Sequence, residues 1–213
     1  MTKFNDMLDG YRRFRENDWK QERERWDKLK EGQSPKVMII ACSDSRVDPT
    51  QIFDVHPGET FIVRNVAALV PPFELKPGYH GVSAALEFAV QFLKVEEIVV
   101  MGHGSCGGCA AALTQQMKDM PPGEGGFIAN WIQLLNDARA KVVAEHGEID
   151  RPVAQLAMEL EGIRTSLSNL RTFPYIQEKE ANRSIKLIGA WFAISGGKLH
   201  VLDEQTDEFA PVA

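Results

Sequence analysis

Two hydrophobic patterns alternate along this chain and predict alternating strands and helices. Short, continuous apolar runs rich in Val and Ile predict strands buried on both faces of a parallel sheet, at residues 36–41, 60–63 and 97–101. Apolar residues at helical spacing predict helices between and after these runs, at residues 80–95, 107–117, 127–146 and 152–170. This alternation indicates an α/β fold with a central, mostly parallel β-sheet flanked by helices.

The two ends of the chain add different elements. Residues 185–194 and 198–202 flank Ser195-Gly196-Gly197, which predicts a hairpin and therefore an antiparallel edge of the sheet. Residues 4–15 and 19–30 predict helices with too few apolar residues to form a core of their own. We therefore expect an N-terminal helical arm at residues 1–31, lying on its own subunit or on a partner, and a single α/β domain at residues 32–213.

Composition narrows the class of protein. A chain of 213 residues with 44% hydrophobic and 25% charged residues is ordinary for a globular protein. A formal net charge of −6 leaves no excess of Lys and Arg to pair with phosphates, which argues against a nucleic-acid partner. No segment approaches the roughly 18 apolar residues that span a bilayer, so we expect no membrane partner. The polar N-terminus lacks the apolar run of a secretory signal, and we expect a cytoplasmic protein.

Candidate chemistry lies at two strand ends. Cys42 directly follows the first apolar run, and His103 and Cys106 follow the third. Sites in α/β folds form beyond the carboxyl ends of the strands, so these side chains converge if the two strands are neighbours. Three cysteines in such a chain do not suggest a disulfide framework, and reduced thiols therefore call for another role.

Cys42, His103 and Cys106 form a ligand set that suits Zn²⁺. Three protein ligands leave a fourth tetrahedral position for water, which is the pattern of a catalytic rather than a closed structural site. A single cysteine after a buried strand is more often a small core residue, but the His-x-x-Cys pair favours a metal site. The sequence thus predicts one zinc ion per chain that activates a water molecule.

Asp44 and Arg46 alternate with Cys42, so in an extended segment all three side chains project the same way. A plain salt bridge would explain the pair. In a chemical interpretation, Arg46 lowers the pKa of Asp44 and keeps its carboxylate a hydrogen-bond acceptor for a zinc-bound hydroxide. Because two thiolates cancel the formal charge of zinc, we expect a bound water with a higher pKa than in a three-histidine site, and better activity at alkaline pH.

Longer motifs around these residues resemble the β-class carbonic anhydrases. The resemblance rests on Ala41-Cys42-Ser43-Asp44-Ser45-Arg46-Val47 and Gly102-His103-Gly104-Ser105-Cys106-Gly107-Gly108, and it covers most of residues 32–110. It implies a zinc lyase, carbonate dehydratase, that hydrates CO₂ reversibly to bicarbonate and a proton. It also implies zinc on Cys42, His103 and Cys106, Asp44 and Arg46 as the catalytic pair, and a homodimer or a higher homo-oligomer.

The same resemblance implies a small apolar substrate pocket. Its residues would be Gln33 as a hydrogen-bond donor, apolar walls at Phe61 and Val66, Phe88 where plant-like relatives often carry Tyr, and the backbone N–H of Gly107. That N–H opens a predicted helix, where partial positive charge favours an anion such as bicarbonate.

Three positions refine the resemblance. Ile39 stands where a second branch of the family has a tryptophan that marks a regulatory bicarbonate pocket, so we expect the plant-like branch, in which Asp44 does not displace water from zinc. Ala68 replaces a usual Asn. Phe92 replaces a histidine that moves protons in some relatives, which leaves proton export to water, buffer or other groups.

Cys109 leaves alternatives open. Cys106-Gly107-Gly108-Cys109 also describes a thiol–disulfide redox motif at the start of a helix. Cys109 could instead act as a fourth ligand and close a structural Cys₃His site. In a third interpretation, Cys109 is a small residue packed on its own helix, and the zinc site stays open.

Overall fold

The computed structural model describes residues 3–76, 78–147 and 152–212 and comprises two compact units, Met1–Ser34 and Pro35–Ala213. The first unit contains helices α1 (Phe4–Glu16), α2 (Asp18–Gln21) and α3 (Arg23–Leu29), none of which buries a residue. The predicted second helix is thus divided, because Glu22 leaves helical geometry at ψ 26°. Aromatic packing joins the pieces within this unit, with Phe14 and Trp26 edge to face at 5.9 Å between ring centroids.

The second unit contains one six-stranded sheet in the order β2-β1-β3-β4-β5-β6. Pairing is parallel from β2 to β4 and antiparallel from β4 to β6. The strands are β1 (Val37–Cys42), β2 (Thr60–Asn65), β3 (Glu97–His103), β4 (Lys186–Ala193), β5 (Lys198–Asp203) and β6 (Glu208–Pro211). The predicted mostly parallel sheet with an antiparallel edge is confirmed.

Register brings the two chemistry-bearing strand ends together. β1 lies between β2 and β3, with Cys42 opposite Asn65 and Ala41 opposite Met101. The strands run in parallel, so Cys42 and His103 leave the sheet at the same edge. This is the carboxyl edge, where an α/β sheet forms its binding sites.

Seven helices accompany the sheet in the described part of the second unit. They are α4 (Pro49–Ile52), α5 (Gly81–Glu87), α6 (Gly107–Thr114), α7 (Gly126–Ile132), α8 (Asn136–His146), α9 (Pro152–Leu170) and α10 (Pro174–Ala181). α9 lies unusually close to the sheet because two strand residues lack side chains. A Cβ on Gly102 would lie 2.8 Å from Ile163, and one on Gly189 would lie 3.0 Å from the same side chain. This close approach lets α9 reach the residues that follow β3.

Further segments, in the second unit, differ from the sequence-based expectations. The predicted helix 80–95 ends in a π-helical stretch, Phe88–Leu93, that closes at Lys94 with φ 59°. The predicted helix 127–146 is interrupted by a 3₁₀ turn, Gln133–Leu135. α10 and β6 were not predicted, because α10 buries only Ile176 and β6 is a short, exposed edge strand without an apolar run.

Candidate metal centre

Three side chains from two neighbouring strand ends form one group. The ligand atoms of Cys42, His103 and Cys106 all lie within 4.8 Å of one another, and all three residues are buried. The two sulfurs are 4.0 Å apart. Two Zn–S bonds of about 2.3 Å at a tetrahedral angle would separate the sulfurs by about 3.8 Å. The spacing therefore fits a tetrahedral metal ion between these side chains.

His103 has one ring nitrogen turned toward the group. Its Nδ1 lies 2.9 Å from the carbonyl oxygen of Gly104, which can only accept, so Nδ1 carries the proton and donates. Nε2 is buried and has no hydrogen-bond partner among the described residues. A buried nitrogen with a free lone pair is costly unless something binds it, and a metal ion would satisfy it.

The two thiols need a cation to ionise. A hydrogen bond with Cys106, followed by burial, raises the pKa of Cys42 to about 12. A hydrogen bond with Cys109, together with burial, raises the pKa of Cys106 to about 12. Thiolates are the forms that bind metals, so these values describe a site whose ionisation depends on the metal itself. Two soft sulfurs and one imidazole are donors that suit zinc.

Asp44 and Arg46 form a two-pronged ion pair at the rim of the group. Arg46 donates from Nε to Oδ1 at 2.9 Å and from Nη2 to Oδ2 at 2.7 Å, and its backbone N–H donates to Oδ1 at 3.0 Å. These bonds hold the pKa of Asp44 well below its usual range. Asp44 Oδ2 also lies 3.9 Å from His103 Nε2, so an ionised carboxylate stands beside the metal ligands.

Arg64 holds the backbone of the segment that carries this pair. Its guanidinium donates to the carbonyl oxygens of Cys42 at 2.9 Å, Asp44 at 2.6 Å and Val47 at 3.2 Å, and it contacts Asp48 at 3.2 Å. Sequence reasoning did not assign Arg64 a role. The available signal was a cationic residue directly after the apolar run of residues 60–63, three residues after Phe61, which calls for a partner.

A second residue missed by sequence reasoning is Glu159 on α9. Its carboxylate is buried, and it accepts a hydrogen bond from the backbone N–H of Cys106 at 3.0 Å. The signal was present, because Glu159 falls on the apolar stripe of its helix with Ile163 and Ser166. A carboxylate at a core position requires an explanation, since it is costly to bury without partners.

The predicted pocket residues separate into two places within the second unit. Gly107 is the first residue of α6, directly after Cys106. Val66 lies beside the same helix, because a Cβ on Gly108 would be 2.7 Å from its Cγ1. Phe61 instead pairs with Met38, four residues before Cys42 on β1, which at about 3.3 Å per residue places it roughly 13 Å down the sheet.

Phe88 accompanies Phe61 rather than the ligands. The two rings lie 5.9 Å apart, and Phe92 stacks on Phe88 at 5.7 Å. Both Phe88 and Phe92 are exposed. Gln33 belongs to the first compact unit, and its part in substrate binding stays a prediction.

Cys109 lies outside the group of ligand atoms that the described residues form. It is buried in the core on α6, and its sulfur would be 3.8 Å from a Cβ on Gly162 of α9. The geometry therefore favours packing for Cys109 over a role as a fourth ligand.

Fold and site together define an α/β protein with a Cys-His-Cys metal group at the carboxyl edge of its parallel strands. Comparison with known proteins narrows this class. A family model described as carbonic anhydrase matches residues 37–199. The chain is 33% identical over 183 residues to beta carbonic anhydrase 3 of Arabidopsis thaliana, covering 86% of this chain and 70% of that protein.

Solved structures agree with this assignment. The β-carbonic anhydrase CcaA superposes with a TM-score of 0.90 at 27% identity, over 99% of this chain and all (100%) of the other. A β-carbonic anhydrase from Sordaria macrospora, described as tetrameric, gives a TM-score of 0.81 at 29% identity over 99% of this chain and 98% of the other. This chain belongs to the carbonic anhydrase family and is a β-class enzyme, a lyase that hydrates CO₂. Among the described residues, no helix is long and apolar enough to cross a membrane.

Proposed function

We propose that Cys42, His103 and Cys106 bind one zinc ion per chain and that this ion is the cofactor of CO₂ hydration. The observation that carries the proposal is the convergence of two sulfurs 4.0 Å apart with a buried, unpartnered imidazole nitrogen. Zinc held there would supply the Lewis acidity that lowers the pKa of a water molecule and provides the nucleophile for CO₂.

Asp44 is the proposed acceptor that orients the nucleophile. Because Arg46 keeps its carboxylate ionised, Asp44 can only accept a hydrogen bond, and a hydroxyl near the ligands has to direct its single proton toward it. An oxygen lone pair then faces the substrate. Both carboxylate oxygens are engaged by Arg46, which supports a plant-like enzyme in which Asp44 stays paired with Arg46 and does not ligate the metal.

The proposed substrate surface is apolar near the metal group, which suits CO₂ because that molecule offers little to hydrogen-bond. Val66 lies against the start of α6 and supplies one wall. Trp131 fixes it, since the indole N–H donates to the carbonyl oxygen of Val66 at 2.8 Å. The N–H of Gly107, at the positive end of α6, is placed to bind the bicarbonate product.

We further propose a homo-oligomer of at least two chains. Phe61 and Phe88 lie too far down the sheet from Cys42 to form the walls of the substrate pocket in their own chain. In an oligomer, a second copy of the chain would present them to the neighbouring site instead. Large apolar side chains are exposed in the second unit, including Phe92 at 69% and Phe127 at 71%. The tetrameric relative supports association, and multi-angle light scattering at several concentrations tests it.

A cytoplasmic location is the remaining proposal. Cys42, Cys106 and Cys109 are free in the structure, and the proposed ligands have to remain reduced to bind metal. Fluorescence microscopy of a tagged chain in its own cell tests this, and fluorescence confined to an oxidising compartment would refute it.

Metal analysis and stopped-flow CO₂ hydration on the same preparation test the central proposal. We expect about one zinc per chain, and activity that disappears with chelation and returns with zinc. Full activity in chain from which metal analysis finds no zinc would refute it. A disulfide-reductase assay should give no turnover, whereas turnover there would support the redox interpretation of Cys106 and Cys109.

A further inference from the structure

Glu159 is a buried acidic residue without a role in the proposed chemistry of Asp44 and the metal group. Its exposed fraction is 3%, and its carboxylate sits behind Cys106, on the side of α9 that faces the sheet. No ion pair with Glu159 is present among the described residues. Its bonds come instead from neutral N–H donors, at 3.0 Å from the backbone of Cys106, 2.7 Å from Gln155 and 3.1 Å from the indole of Trp191.

The bond to Cys106 satisfies a group that its own helix leaves open. Cys106 is the N-cap of α6, and its own side chain makes no capping hydrogen bond. The first N–H groups of a helix lack intrahelical partners, and a buried one needs an acceptor. Glu159 supplies that acceptor from 53 residues away in sequence. A carboxylate is also favoured at a helix N-terminus, where the dipole is positive.

A second bond from α9 holds the other backbone polar group of the same residue. Gln155 lies one turn before Glu159 and donates from Nε2 to the carbonyl oxygen of Cys106 at 3.1 Å. Both polar backbone groups of Cys106 are therefore fixed by α9. The preceding residue, Ser105, has φ 56°, a left-handed conformation that a serine adopts at a cost. The turn after β3, residues 103–108, is the corner that carries His103 and Cys106. It thus needs support from another element to keep Cys106 pointing at Cys42.

We propose that Glu159 is a positioning residue for the metal centre, which clamps the backbone of Cys106 so that its sulfur stays in ligand geometry. This inference rests on the proposed metal group of Cys42, His103 and Cys106. Glu159 does not touch the metal group through its own oxygens. It acts by holding the corner in place, and Trp191 and Gln155 in turn hold its carboxylate.

Glu159→Gln tests the clamp with little change in volume. If the amide oxygen takes the place that accepts from Cys106 and Gln155, the new NH₂ group faces the N–H of Trp191, so two donors oppose each other and the arrangement loses an acceptor. We expect zinc release to a competing chelator to accelerate by about 10- to 100-fold, as loss of outer partners commonly does to metal affinity. The absorption bands of the cobalt-substituted protein should also change, because a displaced sulfur alters the ligand geometry.

The matched control is Ser166→Ala. Ser166 is another buried polar residue on α9 and bonds to backbone atoms of Ala68 and Val70, away from the metal group. This variant should lower the unfolding midpoint while it keeps the wild-type cobalt spectrum and zinc-release half-time. If Glu159→Gln behaves in the same way as this control, Glu159 is only a structural core residue and the proposal is wrong.

Two milder variants cover the case in which Glu159→Gln does not fold. Trp191→Phe removes one donor to the carboxylate, and Gln155→Met removes the bond to the Cys106 carbonyl. Each should speed zinc release by less than Glu159→Gln does, about 2- to 10-fold. Wild-type half-times in both would overturn the proposal. A different result would show that the proposed metal group itself is wrong: Cys106→Ser would retain zinc and cobalt as the wild-type chain does.

Discussion

The corner after β1 and the corner after β3 both deliver metal ligands, but different parts of the chain hold them. The first, residues 42–48, is held by nearby residues: Arg46 bonds to Asp44 two positions away, and Arg64 binds its carbonyls from the neighbouring strand. The second, residues 103–108, is held mainly by α9, whose contacts with Cys106 come from more than 45 positions later. One hydrogen bond links the two corners, from Arg46 Nη2 to the carbonyl oxygen of Ser105 at 3.0 Å.

The two corners also differ in how far their side chains are exposed to solvent. The Arg46 side chain is 48% exposed, so the first corner combines a metal ligand with charged groups that meet solvent and substrate. In the second corner, His103 and Cys106 are both almost fully buried, and the buried Glu159 lies behind them. This contrast suggests that the first corner tunes the reaction, whereas the second mainly retains the metal.

Removal of a ligand from either corner should have the largest effect. Cys42→Ser and Cys106→Ser each leave two ligands, so we expect loss of bound zinc and a fall in CO₂ hydration of at least about 10³-fold, since the metal provides the nucleophile. Metal analysis and stopped-flow assays measure both effects. Cys109→Ala is the control and should retain zinc, because its thiol lies outside the ligand group. Zinc loss in that control would instead support a closed four-ligand site.

Asp44→Asn should separate activity from metal retention. The amide keeps the size of the side chain, but it weakens the pair with Arg46 and removes a pure acceptor. We expect kcat/KM to fall by about 10²-fold, within the range for a lost proton-handling group, while the chain keeps its zinc. Parallel metal analysis is essential here. Loss of zinc in Asp44→Asn, to the degree expected for Glu159→Gln, would erase the proposed difference between the corners.

Arg64→Met should damage the first corner through its backbone. It leaves the carbonyls of Cys42, Asp44 and Val47 without their donor, and charge-assisted hydrogen bonds contribute about 1.5–3 kcal/mol each at most. Because Arg64 is partly exposed, water can replace some of these hydrogen bonds in the variant. We therefore expect the free energy of unfolding to fall by about 2 kcal/mol and the activity to fall roughly tenfold. Urea denaturation measures the former.

Arg139→Met provides the comparison for Arg64. Arg139 donates from Nε to the carbonyl oxygen of Leu113, at the far end of α6 from Cys106, at 2.8 Å. Its loss should cost about 1 kcal/mol and leave activity within twofold of the wild-type chain. Equal losses of activity in the two variants would argue against a specific role for Arg64 at the first corner.

The smallest expected effect concerns the titration of Asp44. Arg46 lowers the pKa of this carboxyl, so the pair stabilises the folded chain above the ordinary carboxyl range and loses that contribution as the pH falls through the folded pKa. Arg46→Ala should move the pKa of Asp44 upward, toward 3.8. Carboxyl ¹³C NMR of the zinc-loaded protein follows the titration. An unchanged pKa would mean that the backbone N–H and other neighbours of Asp44, rather than the guanidinium, set its ionisation.

Much of the second unit could be predicted from hydrophobic pattern alone. The strands β1, β2 and β3 and the helix α9 fall at or near their expected positions, because each is a long enough apolar run or stripe to determine its own element. β6 could not be predicted, since an exposed strand of four residues has no pattern of its own and exists only through pairing with β5. The break between α7 and α8 likewise depends on packing.

The metal site also combines features that follow from local sequence with features that depend on tertiary packing. Cys42, Asp44 and Arg46 lie within five residues of one another, and His103 and Cys106 within four, so local spacing was enough to propose the ligands and the ion pair. Only the tertiary structure decided that β1 and β3 are neighbours, that Glu159 reaches Cys106, and that Phe61 lies far from the ligands on its own chain. Periodicity reports which face of an element is buried. Which elements meet depends on the combined packing of the whole chain, to which each local pattern contributes only a small part of the free energy.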